Sequence, residues 1–140
     1  MDEFYLYISS NDSVDLFTTN DSAEFKCYLG KNIDLRGEWK CGLKELYFYT
    51  ASSKPSILYI TCDICERSYT EGNYVPLLRR LVLPGLDDES YNIEFADTYY
   101  KRVTEKELTY ITISIRGREG EARVLSKSTP ALCVLHFKKV

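Results

Sequence analysis

Apolar and polar residues alternate along this chain with a period of two. Phe4, Leu6 and Ile8 alternate with Tyr5 and Tyr7; Phe25, Cys27 and Leu29 with Glu24, Lys26 and Tyr28; Ile111, Ile113 and Ile115 with Thr112, Ser114 and Arg116. Such alternation marks strands with one buried face. The pattern predicts eight strands, at roughly 3 to 9, 23 to 30, 38 to 49, 56 to 65, 74 to 83, 91 to 97, 108 to 116 and 131 to 138, and no long amphipathic helix.

Turn residues fall between these segments. Gly30 and Gly37 bracket residues 31 to 36, Pro55 opens the fourth strand, Gly72 precedes the fifth and Pro84-Gly85 closes it; Gly117, Gly120 and Pro130 frame the last long loop. Pro76 lies inside an apparent strand, which must therefore be an edge there or begin near Leu77. The third strand changes phase. Trp39, Cys41 and Leu43 share one face while Leu46 and Phe48 fall on the other, which calls for a β-bulge or a crossing between sheets. The last strand, Ala131 to Phe137, is apolar on both faces, as expected at the centre of a two-layer core. Together these features predict one all-β domain over residues 1 to 140, an antiparallel eight-stranded β-sandwich. A single jelly roll is the first choice, with an immunoglobulin-like sandwich as the alternative.

Composition changes this picture little. Apolar residues make up 44% of the 140 and charged residues 28%, and the unusual feature is twelve Tyr, six Phe and one Trp, which favours strands. The formal charge of -3, with basic residues dispersed, lacks the footprint of a nucleic-acid binder. No run approaches the roughly 18 apolar residues of a membrane helix. The acidic start lacks the pattern of a secretory signal, and five cysteines fit reduced thiols in the cytosol or nucleus; the sequons at Asn11 and Asn20 then read as chance.

Candidate chemistry is sparse. Cys62-Asp-Ile-Cys65 is a C-x-x-C, but if one strand runs through both cysteines they point to opposite faces and cannot share an ion. Cys27, Cys41 and Cys133 stand alone, and His136 is the single histidine, so no zinc set is expected. His136 lies between Leu135 and Phe137 and reads as a packed residue, not a general base. The acidic pairs at Asp2-Glu3 and Asp87-Asp88-Glu89 read as solvated charges. No catalytic, cofactor or metal residues are nominated, and an enzyme is not expected.

Two blocks of sequence resemble a known family. The first, residues 4 to 49, has Phe4, Ser10 and Ser13 in an F-x-x-x-x-x-S-x-x-S strand and turn, then Gly37, Trp39, Leu43, Glu45 and Leu46 in a G-x-W-x-x-x-L-x-E-[IL] segment. The second has Tyr59, Cys62, Asp63 and Ile64 in Y-[IV]-x-C-D-[IL], Val75 to Arg79 as V-P-L-L-R, then Ile113, Ile115 and Arg116, and a closing Val134 to Lys139. These motifs, in this order, resemble a capsid protein family of Maverick/Polinton elements and adintovirus-like viruses. Members carry a long insertion between the tryptophan segment and the C-D-[IL] strand, where this chain has only Thr50 to Ser56. The shortness leaves host attachment in doubt for this chain.

The resemblance implies a minor capsid protein of the penton type: a single jelly roll forming homopentamers at capsid vertices beside a major capsid protein, in the virion and, during assembly, in the host nucleus or cytoplasm. It implies no cofactor, direct nucleic-acid contact or membrane span. A ring needs a head-to-tail contact, and the strand marked as an edge by Pro76 nominates Tyr74, Val75, Arg79 and Arg80 as subunit interface. The rival expectation is a domesticated or host-facing β-sandwich that binds a carbohydrate or receptor.

Overall fold

The structure, a computed structural model, describes residues 2–50, 57–83, 90–118, 125–126 and 129–140. Eleven strands are present among them: β1 (Glu3–Ser9), β2 (Glu24–Asp34), β3 (Trp39–Tyr49), β4 (Ile57–Cys62), β5 (Ser68–Thr70), β6 (Asn73–Val75), β7 (Leu77–Val82), β8 (Ser90–Glu94), β9 (Tyr100–Arg102), β10 (Glu107–Gly117) and β11 (Leu132–Lys139). The turns expected at Pro55, Pro84-Gly85 and Gly120 lie outside the described residues.

Nine of the strands form two facing sheets. The first has the order β1-β11-β3-β8, with β9 continuing the β8 edge against β3, and the second has the order β2-β10-β4-β7. The pairing is nested. β1 pairs with β11, β2 with β10, β3 with β8 and β4 with β7, all antiparallel. The chain is thus one long two-stranded ribbon, folded back at the β4 to β7 connection and wrapped so that β11 also meets β3 and β10 meets β4. That wrapping defines a jelly roll and excludes the immunoglobulin-like order.

Between the sheets lies a core in which Phe25, Leu43, Phe48, Leu58, Ile60, Leu78, Ile111, Ile113 and Phe137 are almost wholly buried. The phase change in β3 is a bulge. Val134 pairs with Glu45 but Leu135 pairs with Leu43, so Lys44 is the extra residue, and Trp39, Cys41, Leu43, Leu46 and Phe48 all turn inward. Pro76 separates β6 from β7, and β7 is an edge. In β7, Ile60 faces Arg79 and Thr61 faces Leu77, so a second bulge turns both Leu78 and Arg79 toward the sandwich interior.

Two expectations need correction. The predicted stop at Gly30 is an irregularity within β2, which continues to Asp34; with φ at +79°, Gly30 lets the chain loop out between the Tyr28–Tyr110 and Ile33–Leu108 pairs. The stretch around Gly72, expected only to precede the fifth strand, forms a hairpin of its own. Glu71 and Gly72, both at positive φ, form the two-residue turn of a β5–β6 hairpin in which Thr70 pairs with Asn73.

The serines of the opening motif pin the β1–β2 connection. Ser10 Oγ accepts the Ala131 N–H at 3.0 Å and Ser13 Oγ accepts the Tyr28 N–H at 2.9 Å, so both buried hydroxyls are satisfied. Gly42 has a steric reason. A Cβ there would lie 2.4 Å from Thr98 Cγ2 and 3.0 Å from the Tyr99 carbonyl oxygen, where the β8–β9 connection crosses β3. Gly42→Ala is therefore expected to lose about 1–3 kcal/mol, measured as a lower midpoint of urea unfolding.

Candidate assembly surfaces

The outward face of the first sheet is laid out in four cross-strand rows fixed by register. Ser9, Leu132, Tyr47 and Asn92 form the first; Tyr7, Val134, Glu45 and Glu94 the second; Tyr5, His136, Gly42 and Tyr100 the third; Glu3, Lys138, Lys40 and Arg102 the fourth.

The third row is tightly knit. The Tyr100 ring reaches over Gly42, and its hydroxyl lies 2.7 Å from His136 Nδ1. The imidazole also stacks on Tyr5, with ring centroids 4.4 Å apart, and its Nε2 lies 3.4 Å from Glu3. The lysines of the fourth row stand over the Tyr100 ring, Lys40 at 5.1 Å and Lys138 at 5.4 Å. His136 is buried under these groups, in keeping with a packed residue.

The first two rows are open. Tyr7 is 73% exposed and Leu132 44%, although both belong to strands whose other face is core. The last strand was expected to be covered on both sides; its outward Leu132 and Val134 instead line a groove of about 330 Å³ with Tyr7, Tyr47 and Glu45. Glu45 and Glu94 are directly opposed across β3 and β8. Neither makes an ion pair among the described residues, and like charges in that position repel.

The other side of the molecule carries the β5–β6 hairpin. Its turn residue Glu71 accepts hydrogen bonds from the Tyr59 hydroxyl and, at 3.1 Å, from Arg118, which fastens the hairpin to the outward face of the second sheet. Both donors hold the Glu71 carboxyl below the usual range. A cleft of about 610 Å³ runs beneath, lined by Tyr59, Thr61, Ser114, Arg116, Arg118 and Asn73. Tyr69 and Tyr74 project from the hairpin, each 67% exposed and packed edge to face at 5.6 Å, and Arg67 donates to the Tyr74 carbonyl at 3.1 Å.

Of the four residues nominated as interface, Tyr74 lies on the hairpin, Val75 at its end, and Arg80 on the outward face of β7, opposite Tyr59. Arg79 is elsewhere. Its guanidinium lies between the rings of Phe95 and Tyr99, 4.0 and 4.1 Å from their centroids, and donates to the Asp97 carbonyl at 2.6 Å. It therefore ties the edge of the second sheet to the β8–β9 connection of the first.

The cysteine geometry differs from the sequence reading. β4 ends at Cys62, and the Cys65 N–H bonds the Cys62 carbonyl at 3.0 Å, so a turn replaces the strand on which the opposite-face rule relied. That turn is held to the segment after β9 by the Thr104 N–H on Ile64 and the Glu66 N–H on Arg102, and all three of Cys41, Cys62 and Cys65 are buried. Their thiols interact. Burial raises Cys41 and Cys62, while S–H donation from those two lowers Cys65. Among the described residues no group of His, Cys, Asp or Glu is arranged to hold a metal ion. Cys27 is pushed up to about 11 chiefly by burial, and Cys133 is raised further by burial and by Cys27.

No protein-family model and no curated protein matches the chain. Among solved structures, 98% of it aligns with 32% of a chain in the structure of infectious bursal disease virus, Gx strain, at 14% identity and a TM-score of 0.30. It also aligns over 99% of its length with 79% of a chain in the virus-like particle of extra small virus from the giant freshwater prawn Macrobrachium rosenbergii, at 10% identity and a TM-score of 0.22. The chain thus spans about a third of the bursal disease virus chain. At such scores these likenesses carry no weight, and the jelly-roll assignment rests on strand pairing. Neither is a Maverick or Polinton protein.

Replacing Arg79 with Met is expected to cost about 1–2 kcal/mol through loss of the ring sandwich and the Asp97 contact, and Arg79→Lys to restore little of it because ammonium cannot lie flat between two rings. Chemical unfolding of the two variants checks both. Asp63 gives a pH test. The side chain is exposed, but partial desolvation of its carboxyl raises it above the ordinary 3.8, against the hydrogen bond it accepts from the Thr112 N–H. The folded chain then keeps a proton the unfolded chain has lost, so stability falls as pH rises from 3.8 into the raised range. Asp63→Asn, which keeps the acceptor oxygen, is expected to flatten that dependence in thermal unfolding across mildly acid pH.

Proposed function

We propose that the protein is a structural virion protein, a minor capsid protein of the penton type that assembles head to tail into pentamers at capsid vertices beside a major capsid protein. The observation that carries this reading is the placement of large exposed apolar side chains on opposite outward faces of one jelly roll: Tyr7 and Leu132 on the first sheet, Tyr69 and Tyr74 over the second. A closed ring uses two different surfaces of the same chain in every contact. The ordered motifs shared with the Maverick/Polinton capsid family support the same reading, since fold alone does not specify function. The interface includes Tyr74 and Val75 on the hairpin and Arg80 on β7, the strand that Arg79 fixes. Its place of action is the virion, after assembly in the host nucleus or cytoplasm.

A second reading, a host-facing module that binds a carbohydrate or receptor, is favoured by the polar cleft beneath the hairpin, where Arg116, Arg118, Thr61, Ser114 and Asn73 present hydrogen-bonding groups. Mass measurement in solution with negative-stain electron microscopy distinguishes the two. Rings with five-fold symmetry are expected; a monomer that binds glycans overturns the capsid reading.

A further inference from the structure

We infer that the exposed tyrosine pair of the β5–β6 hairpin docks into the groove on the outward face of the first sheet of a second copy of this chain. The inference rests on the ring reading and names the acceptor surface that reading leaves open.

The groove and the hairpin match in size. About 150 Å³ of apolar cavity accommodates one six-membered aromatic ring, so the groove of about 330 Å³ takes two. Tyr69 and Tyr74 are already packed against each other at 5.6 Å and enter as a preformed unit, losing little rotamer freedom. Leu132, Val134 and Tyr7 supply the apolar walls, and two tyrosines in a desolvated pocket are typical anchors of an interface.

Charge selects the partner. The opposed Glu45 and Glu94 place negative charge at the groove that makes no ion pair among the described residues. Arg67, held beside Tyr74 by its bond to the Tyr74 carbonyl, brings a guanidinium to them as the rings enter. Opposite charges meeting at the rim fix the register of docking.

The contact cannot be satisfied within one molecule. The hairpin is fastened through Glu71 to the outward face of the second sheet, whereas the groove lies on the outward face of the first, with the core between them. Each copy therefore offers one hairpin and one groove to different neighbours, and the result is a ring or an open chain, never an isologous dimer.

Two variants of the full chain test this. One carries Tyr69→Ser and Tyr74→Ser; the other carries Leu132→Arg, each folded state being checked by circular dichroism and thermal unfolding. In analytical ultracentrifugation each variant alone is expected to need at least roughly tenfold higher concentration than wild type to assemble. An equimolar mixture is expected to stop at dimers, because one intact hairpin meets one intact groove. Arg67→Glu and Glu94→Arg, exposed charge reversals that serve if the first variants misfold, are each expected to weaken assembly and in one chain to restore it. If all variants form the wild-type rings, the docking is wrong and the ring reading stands. If wild type stays monomeric up to its solubility limit, the ring reading fails and this inference with it.

Discussion

The extra residue at Lys44 governs the rest of the molecule. β3 is paired along its length, by β11 on one side and by β8 and β9 on the other, so any change in its phase is transmitted to three strands. Without the bulge, Trp39, Cys41 and Leu43 could not share a face with Leu46 and Phe48, and half of these side chains would leave the core. With it, the inward set closes the sandwich, and the outward set of β11 is left as Leu132, Val134, His136 and Lys138. The same alternation therefore produces both the core and the open rows of the outward face.

The two outward faces are treated differently. On the first sheet, Tyr100 bridges Gly42 to reach His136, and this covers one half while the groove half stays open. On the second sheet a hairpin is laid across the strands and clamped by a single carboxylate between a phenol and a guanidinium. Glu71 adopts a left-handed backbone to do this, at φ +45°, where glycine or asparagine is the usual occupant. The local cost is offset by two charge-assisted hydrogen bonds, and the tyrosines on the hairpin are held away from the sheet.

Much of the fold was legible because its signal is local. Period-two alternation located the eight main strands, Pro76 marked an edge, and the change of phase between Leu43 and Leu46 called for a bulge or a crossing between sheets, of which the bulge is present. The features that escaped depend on contacts distant in sequence. Tyr100 to Arg102 is too short to show a period and becomes a strand only by pairing with residues 40 to 42. Cys65 was placed on the wrong face because nothing local says that β4 stops at Cys62; the stop is imposed by hydrogen bonds to residues 102 and 104. Of the surfaces proposed to meet, Tyr74 and Arg80 were nominated from the edge they flank, whereas Tyr69 and the groove were not. The groove is assembled from three strands, and no single stretch carries its signature. Arg79 looked like a surface partner to Arg80, and only the bulge at Leu78 turns it between Phe95 and Tyr99.

The nested ribbon also sets the order in which the chain can fold. β4 and β7 are near neighbours in sequence and can pair early, whereas β1 meets β11 only across almost the whole chain, as Glu3 opposite Lys138 shows. Pairings of such long range are slow because loop closure precedes any gain in contacts. During synthesis β1 and β3 emerge long before β11, the strand that belongs between them, and each presents an unpaired edge beside apolar residues until residues 132 to 139 leave the ribosome. Copies of the chain produced at high concentration would meet through those edges. Yield in a host cell therefore depends on how long the final strand is delayed as well as on the stability of the finished sandwich.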